Sequence, residues 1–367
     1  MPRKILRVVL WTSGWTLFGL LVLETAVRLI STPSEKGPAL NLINRQAPYF
    51  FSLNPEHPEI SSQGFRDRER IIPKPPGQKR VLVLGDSVAY GLFVSAEQAF
   101  PHAMERFWQS LGQTAEVINA GVNGYTTFSE LKFFQARGAA LGSDDVVLAF
   151  CFNDIVNPVL HWGDEKDYFK ALPSEAFPRF DEHVRRVAPE VYRKRSLAER
   201  VLMHSKLYTF LRGRWRLWRM QSVRYEGYEG KKWPVYVADE DTVSLRALEN
   251  PASPESEWLY GMLRELKTSV EGSGARFHVV FFPLAYQFKN GYPFFPQKTL
   301  MQFCGRENIS CLDPFEALRR AGGESLYLGR HAYHPRDVWH LSPEGHAAAA
   351  EIIASWLSAG FTPKESA

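Results

Sequence analysis

The chain has 367 residues, of which 45% are hydrophobic, 13% aromatic and 23% charged. That is enough for one large globular domain, or a domain with a sizeable insertion, and the aromatic content excludes disorder over most of the length. Forty-four Lys and Arg against 40 Asp and Glu leave a net charge of +4, too small to assign a partner class to the whole molecule.

Arg3, Lys4 and Arg7 precede a charge-free stretch over residues 8–23, slightly short of the roughly 20 residues a bilayer requires. Glu24 and Arg28 lie four apart, a spacing that pairs them on one helix face, and extension through them to Ile30 reaches that length. No small-x-small cleavage site follows. Residues 1–30 are therefore expected to be an uncleaved signal-anchor transmembrane helix in the cell membrane. Its basic end faces the cytoplasm and the single-pass domain is extracytoplasmic, on the periplasmic or extracellular side. The alternative is a buried core helix, which Trp11, Trp15 and the N-terminal position disfavour. Residues 31–78 are rich in Pro, Ser, Asn and Gly and read as a linker or wrapping segment.

From Arg80 onward, short apolar runs alternate with helical patterns. Strands are expected over 81–84, 117–119, 146–152, 277–282 and 309–312, and helices over 96–111, 128–141, about 257–271, 296–307 and 343–357. Ser342 and Pro343 mark the start of the last helix. Such alternation implies a parallel sheet covered on both faces. Residues 79–155 and 255–360 form the two parts of this α/β core. Residues 156–254 are too long for a connection and read as an inserted, largely helical, basic subdomain.

Within that insertion, residues 193–224 carry ten Lys and Arg and one acid, Glu199. Leu207, Phe210, Leu211, Trp215 and Trp218 form an apolar stripe at helical spacing, with Lys206, Arg212, Arg216 and Arg219 beside it. Three readings stand: a helix on an anionic membrane surface, a basic rim for an anionic substrate, or an amphipathic helix packed on the core with a solvated basic face. Nucleic acid is not an expected partner outside the membrane. Of the three cysteines, Cys151 and Cys311 sit in apolar, strand-like runs and read as buried thiols; a Cys304–Cys311 bridge requires an oxidising compartment.

Two clusters carry chemistry. Gly85-Asp86-Ser87 ends the run 81–84 and places a hydroxyl at the carboxyl end of a buried strand, where open α/β sheets build their sites. No glycine lies two residues after Ser87, so this is not the Gly-x-Ser-x-Gly elbow. Far downstream, Asp337-Val-Trp-His340 puts a carboxylate and an imidazole three residues apart, close enough in a turn for one to orient the other. In this order they are candidates for the nucleophile and the acid–base pair of a serine esterase. Asp86 reads as a turn-ordering side chain, Asn119 as a turn-bonding one and His346 as packing in the last helix. The spacing His331-x-x-His334-x-x-Asp337-x-x-His340 has the donor types of a zinc site, but a His-rich loop requires geometry, and no metal or cofactor is expected.

On these residues the chain resembles the SGNH hydrolase superfamily, the Gly-Asp-Ser-Leu-like esterases. Gly85-Asp-Ser-Val-Ala-Tyr-Gly91 resembles the nucleophile block, Asn119-Ala-Gly-Val-Asn-Gly-Tyr-Thr-Thr127 the second, Asn153-Asp154 the third and Asp337-Val-Trp-His340 the last. The match covers roughly 80–155 and 275–357. It departs from the family at Cys151, where a glycine is usual two residues before the block-three Asn. Gly64-Phe-Arg-Asp67 resembles a segment that precedes the nucleophile block in membrane-anchored members, where Arg66 either reaches the site or makes a structural salt bridge.

The resemblance implies a flavodoxin-like three-layer α/β/α sandwich. It assigns Ser87, Asp337 and His340 as catalytic, and Ser87, Gly124 and Asn153 as oxyanion-hole donors. The substrate it implies is an acyl or acetyl ester of an extracytoplasmic carbohydrate or lipid. The alternatives are an O-acyltransferase acting on a cell-envelope polysaccharide and a non-catalytic glycan-binding protein.

Overall fold

A computed structural model of the chain describes residues 3–30, 40–43, 49, 51–152, 196–221, 225–228, 231–234, 240–329 and 337–359. In chain order the elements are α1 (Arg3–Ile30), β1 (Asn41–Ile43), β2 (Phe51–Leu53), β3 (Lys79–Gly85), α2 (Ser87–Tyr90), α3 (Phe100–Ser110), β4 (Ala115–Gly121), α4 (Thr127–Ala136) and β5 (Asp145–Cys151). Next come α5 (Leu197–Leu202), α6 (Lys206–Gln221), β6 (Tyr225–Tyr228), β7 (Lys231–Pro234), α7 (Glu240–Leu248), α8 (Pro254–Gly272) and β8 (Arg276–Phe282). The C-terminal part adds α9 (Gln297–Glu307), β9 (Ser310–Leu312), α10 (Phe315–Ala321), β10 (Tyr327–Gly329), β11 (Asp337–Leu341) and α11 (Pro343–Ala359). The chain divides into two compact units, Met1–Pro38 with Arg193–Val223, and Ala39–Tyr192 with Arg224–Ala367. The expected insertion over 156–254 thus has described parts in both: α5 and α6 in the first, β6, β7 and α7 in the second.

The second unit is built on a five-stranded sheet of order β4-β3-β5-β8-β9, with every neighbouring pair parallel. Counted by appearance this is 2-1-3-4-5, the flavodoxin-like order. Val81, Leu82, Val83 and Leu84 of β3 are all buried. A central strand covered on both faces reads as a continuous apolar run of this kind, without polar alternation. The connection from β3 to β4 runs one way along the sheet and that from β4 to β5 the other. Right-handed crossovers in opposite directions put α3 and α4 on opposite faces. α3 packs against α11 and α4 against α8, which completes three layers. Trp108 of α3 is fully buried and donates to Ser358 Oγ of α11 at 2.9 Å. Burial of a side chain of this size contributes about 3 kcal/mol.

The helix expected over 96–111 is broken at Ala99: a 3₁₀ turn over Ala96–Gln98 precedes α3. Pro101 is the reason, because it lacks the N–H that would continue a helix from residue 97 and its ring would meet that carbonyl. Residues 51–78 wrap the core and bury Phe51, Leu53, Ile60 and Phe65; Tyr125 Oη donates to the Phe51 carbonyl at 2.6 Å.

One cysteine expectation is corrected. Cys311 is not a buried thiol: it is half-buried and bonded to Cys304, with Cα atoms 6.2 Å apart. The turn from α9 into β9 returns the chain on itself, so seven residues of separation are spanned easily. Cys151 is buried and lies outside that disulfide.

In the first unit, α1 contains a segment, Leu10–Ile30, of 21 residues that is long and apolar enough to cross a membrane and is not buried. Its threonine hydroxyls are satisfied within the helix: Thr12, Thr16 and Thr25 each donate to the carbonyl four residues back. Glu24 and Arg28 pair as their spacing predicts, at 2.7 Å.

Candidate active site

Ser87 lies two residues beyond the end of the interior strand β3, at the point where the strand order reverses. It is the first residue of the single-turn helix α2. Asp86 caps that turn, its Oδ1 accepting from the Val88 amide at 2.8 Å, so its reading as a turn-ordering residue describes what it does. The turn closes on Gly91 in the left-handed region, φ 78°. A Cβ there would lie 2.5 Å from the Ala99 Cβ, which also restricts the position to glycine.

The imidazole arrives from β11. In a regular strand, residues three apart point to opposite faces. β11 is not regular: Gly329 pairs with Asp337 and Tyr327 with Leu341, so one residue of β10 faces three of β11. This bulge turns His340 back toward Asp337. The Asp337 carboxylate accepts from the backbone amides of Trp339 and His340 at 3.0 and 2.9 Å, and from His340 Nδ1 at 2.6 Å. A carboxylate only accepts, so Nδ1 carries the proton and Nε2 is the acceptor. His340 Nε2 lies 2.8 Å from Ser87 Oγ, across 253 residues of sequence. A continuous Ser87–His340–Asp337 relay results. Burial pushes the Asp337 carboxyl up, but the hydrogen bond and charge of His340 and the two amides outweigh it and hold it below the usual aspartate range.

Around the relay, the structure supplies residues that the sequence marks only in part or not at all. Phe93 adopts φ 72°, strained for a side chain with a Cβ, and sets its ring edge-on to His340 at 5.3 Å. Arg66 is buried. Its Nη1 donates to the carbonyls of Tyr90 and Gly91 at 3.0 and 2.7 Å, its Nη2 to that of Val94 at 2.9 Å, and its guanidinium lies 4.4 Å from the Tyr90 ring centroid. It also pairs with Glu59 at 2.8 Å. Arg66 therefore ties the loop behind Ser87 to the wrapping segment and does not itself reach the serine. Glu130 of α4 is buried, with neither carboxyl oxygen bonded among the described residues. Burial, then the charge of Asp86, pushes it well above the usual glutamate range.

Asn119 is a turn-bonding side chain, its Oδ1 accepting from the Gly121 amide at 3.0 Å. Gly124 lies in the turn after β4 with φ 86°. Asn153, Asp154, His331 and His334 lie outside the described residues.

His346 of α11 is fully buried; its Nδ1 accepts from the Phe100 amide at the start of α3, at 3.2 Å. Burial, then the charges of His340 and Arg66, push it down to about 3. Its folded value lies below the ordinary 6.5, so its contribution to stability is complete above pH 6.5 and is lost as pH falls toward 3. Between pH 6.5 and 4.5 this amounts to roughly 2 to 3 kcal/mol for one proton. Urea midpoints measured across that window should fall for the native chain and fall distinctly less for His346→Gln, which keeps an acceptor for the Phe100 amide. Equal slopes would remove His346 as the cause.

No protein-family model matches the chain, and no curated protein does. Among solved structures it is similar to a lipase/acylhydrolase from Enterococcus faecalis, at 15% identity and TM-score 0.40, covering 78% of this chain and 100% of that one. It is also similar to a GDSL-like lipase from Bacteroides thetaiotaomicron, at 10% identity and TM-score 0.36, covering 77% and 89%. A two-domain esterase active on acetylated mannans matches at 13% identity and TM-score 0.40, covering 79% of this chain and 51% of that one. Likeness this distant carries no conclusion about what this chain acts on.

Proposed function

We propose that the chain is a serine hydrolase of the SGNH type that cleaves acyl or acetyl esters of an extracytoplasmic carbohydrate or lipid. The observation that carries this is the Ser87–His340–Asp337 relay, with 2.8 and 2.6 Å contacts assembled from opposite ends of the core sequence. His340 Nε2 takes the proton of Ser87 Oγ as the hydroxyl attacks the ester carbonyl, and Asp337 holds the ring and stabilises the imidazolium. His340 then returns the proton to the leaving alcohol, and an acyl-serine remains for water to cleave. The developing oxyanion is stabilised by the Ser87 and Gly124 amides and the Asn153 side chain. A single donor of this kind contributes about 3–4 kcal/mol in serine proteases. α1 anchors the chain in the membrane with the α/β unit on the extracytoplasmic side, and the Cys304–Cys311 bond fits an oxidising compartment.

The direct test is a fluorophosphonate probe on the full-length chain, with the modified residue found by mass spectrometry. The expected result is labelling at Ser87 that is lost in His340→Ala. Absence of labelling in folded protein would leave no activated nucleophile, and the glycan-binding alternative would replace this reading.

A further inference from the structure

We propose that α6 is an interfacial helix that lies on the anionic lipid surface at the outer end of α1, an inference that rests on the reading of α1 as a membrane anchor. Its start is fixed to α1 by one side chain. The Glu24 carboxylate accepts from Ser205 Oγ at 2.7 Å and from the Lys206 and Leu207 amides at 2.9 Å, which caps the N-terminus of α6. Arg28 braces the joint, bonding Glu24 at 2.7 Å and the His204 carbonyl at 3.2 Å.

That joint sits at a defined depth. From Arg7, the last inner cation, to Glu24 the helix rises about 26 Å at 1.5 Å per residue. The hydrocarbon layer is about 30 Å thick, so Glu24 and the start of α6 meet its far boundary.

Beyond the joint, α6 turns a wide apolar face to solvent. Phe210, Leu211, Trp215 and Trp218 are 51, 55, 56 and 64% exposed. With Leu207 they occupy an arc of about 140° at 100° per residue. This is not the packed face of an ordinary amphipathic helix, which hides its apolar stripe. Preceding it, α5 leaves Leu197 and Val201 exposed as well. Tryptophan beside arginine suits the boundary between acyl chains and phosphates, with the ring in the one and the guanidinium at the other. The sign of the charge selects the lipid: ten Lys and Arg against one acid over residues 193–224 complement an anionic headgroup.

The test uses the full chain in vesicles of phosphatidylcholine with and without phosphatidylglycerol. Cys151 is buried and Cys304 is bonded to Cys311, so one added thiol can be labelled selectively. Leu211→Cys, Arg212→Cys and Phe18→Cys, each carrying an environment-sensitive fluorophore, are compared with nitroxide lipids and with aqueous iodide as quenchers. The expected result is strong quenching at 18 by a deep nitroxide. At 211, a headgroup-level nitroxide should quench several-fold more than at 212, and this excess should shrink without phosphatidylglycerol or in high salt. Equal quenching at 211 and 212, with 18 still quenched, overturns the interfacial helix and leaves the anchor. Protection of 211 from lipid and aqueous quenchers alike means that protein covers the face, which also overturns it. No quenching at 18 overturns the anchor reading and this inference together.

Discussion

Ser87→Ala is expected to lower turnover of an activated acyl ester by about 10⁶-fold, the scale seen when a serine hydrolase loses its nucleophile. Ser87 Oγ is the only atom in the relay able to attack, and no other hydroxyl is bonded to His340 among the described residues. The stability cost should be slight, because the hydroxyl's two contacts, to His340 Nε2 at 2.8 Å and to Asp86 Oδ2 at 3.3 Å, are lost and a hydrogen bond has a net worth of about 1 kcal/mol. Asp337→Asn is expected to lose about 10⁴-fold, since an amide that donates to Nδ1 selects the tautomer with its proton on Nε2, and that nitrogen can no longer accept from Ser87. Initial rates on p-nitrophenyl acetate, with thermal melts of the same preparations, check both. Normal turnover in folded Ser87→Ala would remove Ser87 as the nucleophile.

Gly121→Ala is the second large effect, and it acts without touching any reacting atom. A Cβ at Gly121 would lie 2.3 Å from the Tyr90 amide nitrogen and 2.6 Å from the Ala89 carbonyl carbon. Both are backbone atoms of α2, so no side-chain rotation relieves the contact, and α2 must move away from β4. Overpacking of this kind costs about 1–3 kcal/mol. The helix that moves carries Ser87, and a misplacement of about 1 Å costs on the order of 10²-fold in rate. A folded Gly121→Ala protein should therefore keep its circular dichroism, melt at a lower temperature and show a kcat reduced by about two orders of magnitude. Unchanged kcat in that protein would mean that α2 is not held against β4.

The sheet was legible because β3 and β5 carry unbroken apolar runs, and 81–84 differs from β3 only at the ends. The three side chains of the relay were legible because each stands beside a strong local signal: a Gly-Asp-Ser after a strand, and an Asp and His three apart. The form of the last cluster was not. A turn was expected at 337–340, whereas the segment is a bulged strand whose geometry depends on pairing with residues 327–329, and no periodicity in the sequence announces that partner. The sequence offers Arg66 either as a residue that reaches the site or as one end of a salt bridge, but its bonds to three backbone carbonyls depend on a loop 24 to 28 residues away folding beneath it. Phe93 carries no sequence mark at all, because its left-handed backbone is imposed by tertiary structure. Cys311 was misread because an apolar neighbourhood suggested burial, while the disulfide depends on the path of the chain between α9 and β9.

The distance of 253 residues between Ser87 and His340 also has a meaning in time. A ribosome adding roughly 5–20 residues per second needs on the order of 13 to 50 seconds to pass from one to the other. Throughout that interval the growing chain holds Ser87 without the imidazole it meets in the fold. The hairpin of β10 and β11 that positions His340, and the helix α11 that closes over α3, follow every other strand and helix of the described residues in chain order. On the proposed reading, reactivity switches on only after that hairpin has been made, long after α1, and an interrupted chain that stops before Asp337 is inert toward esters.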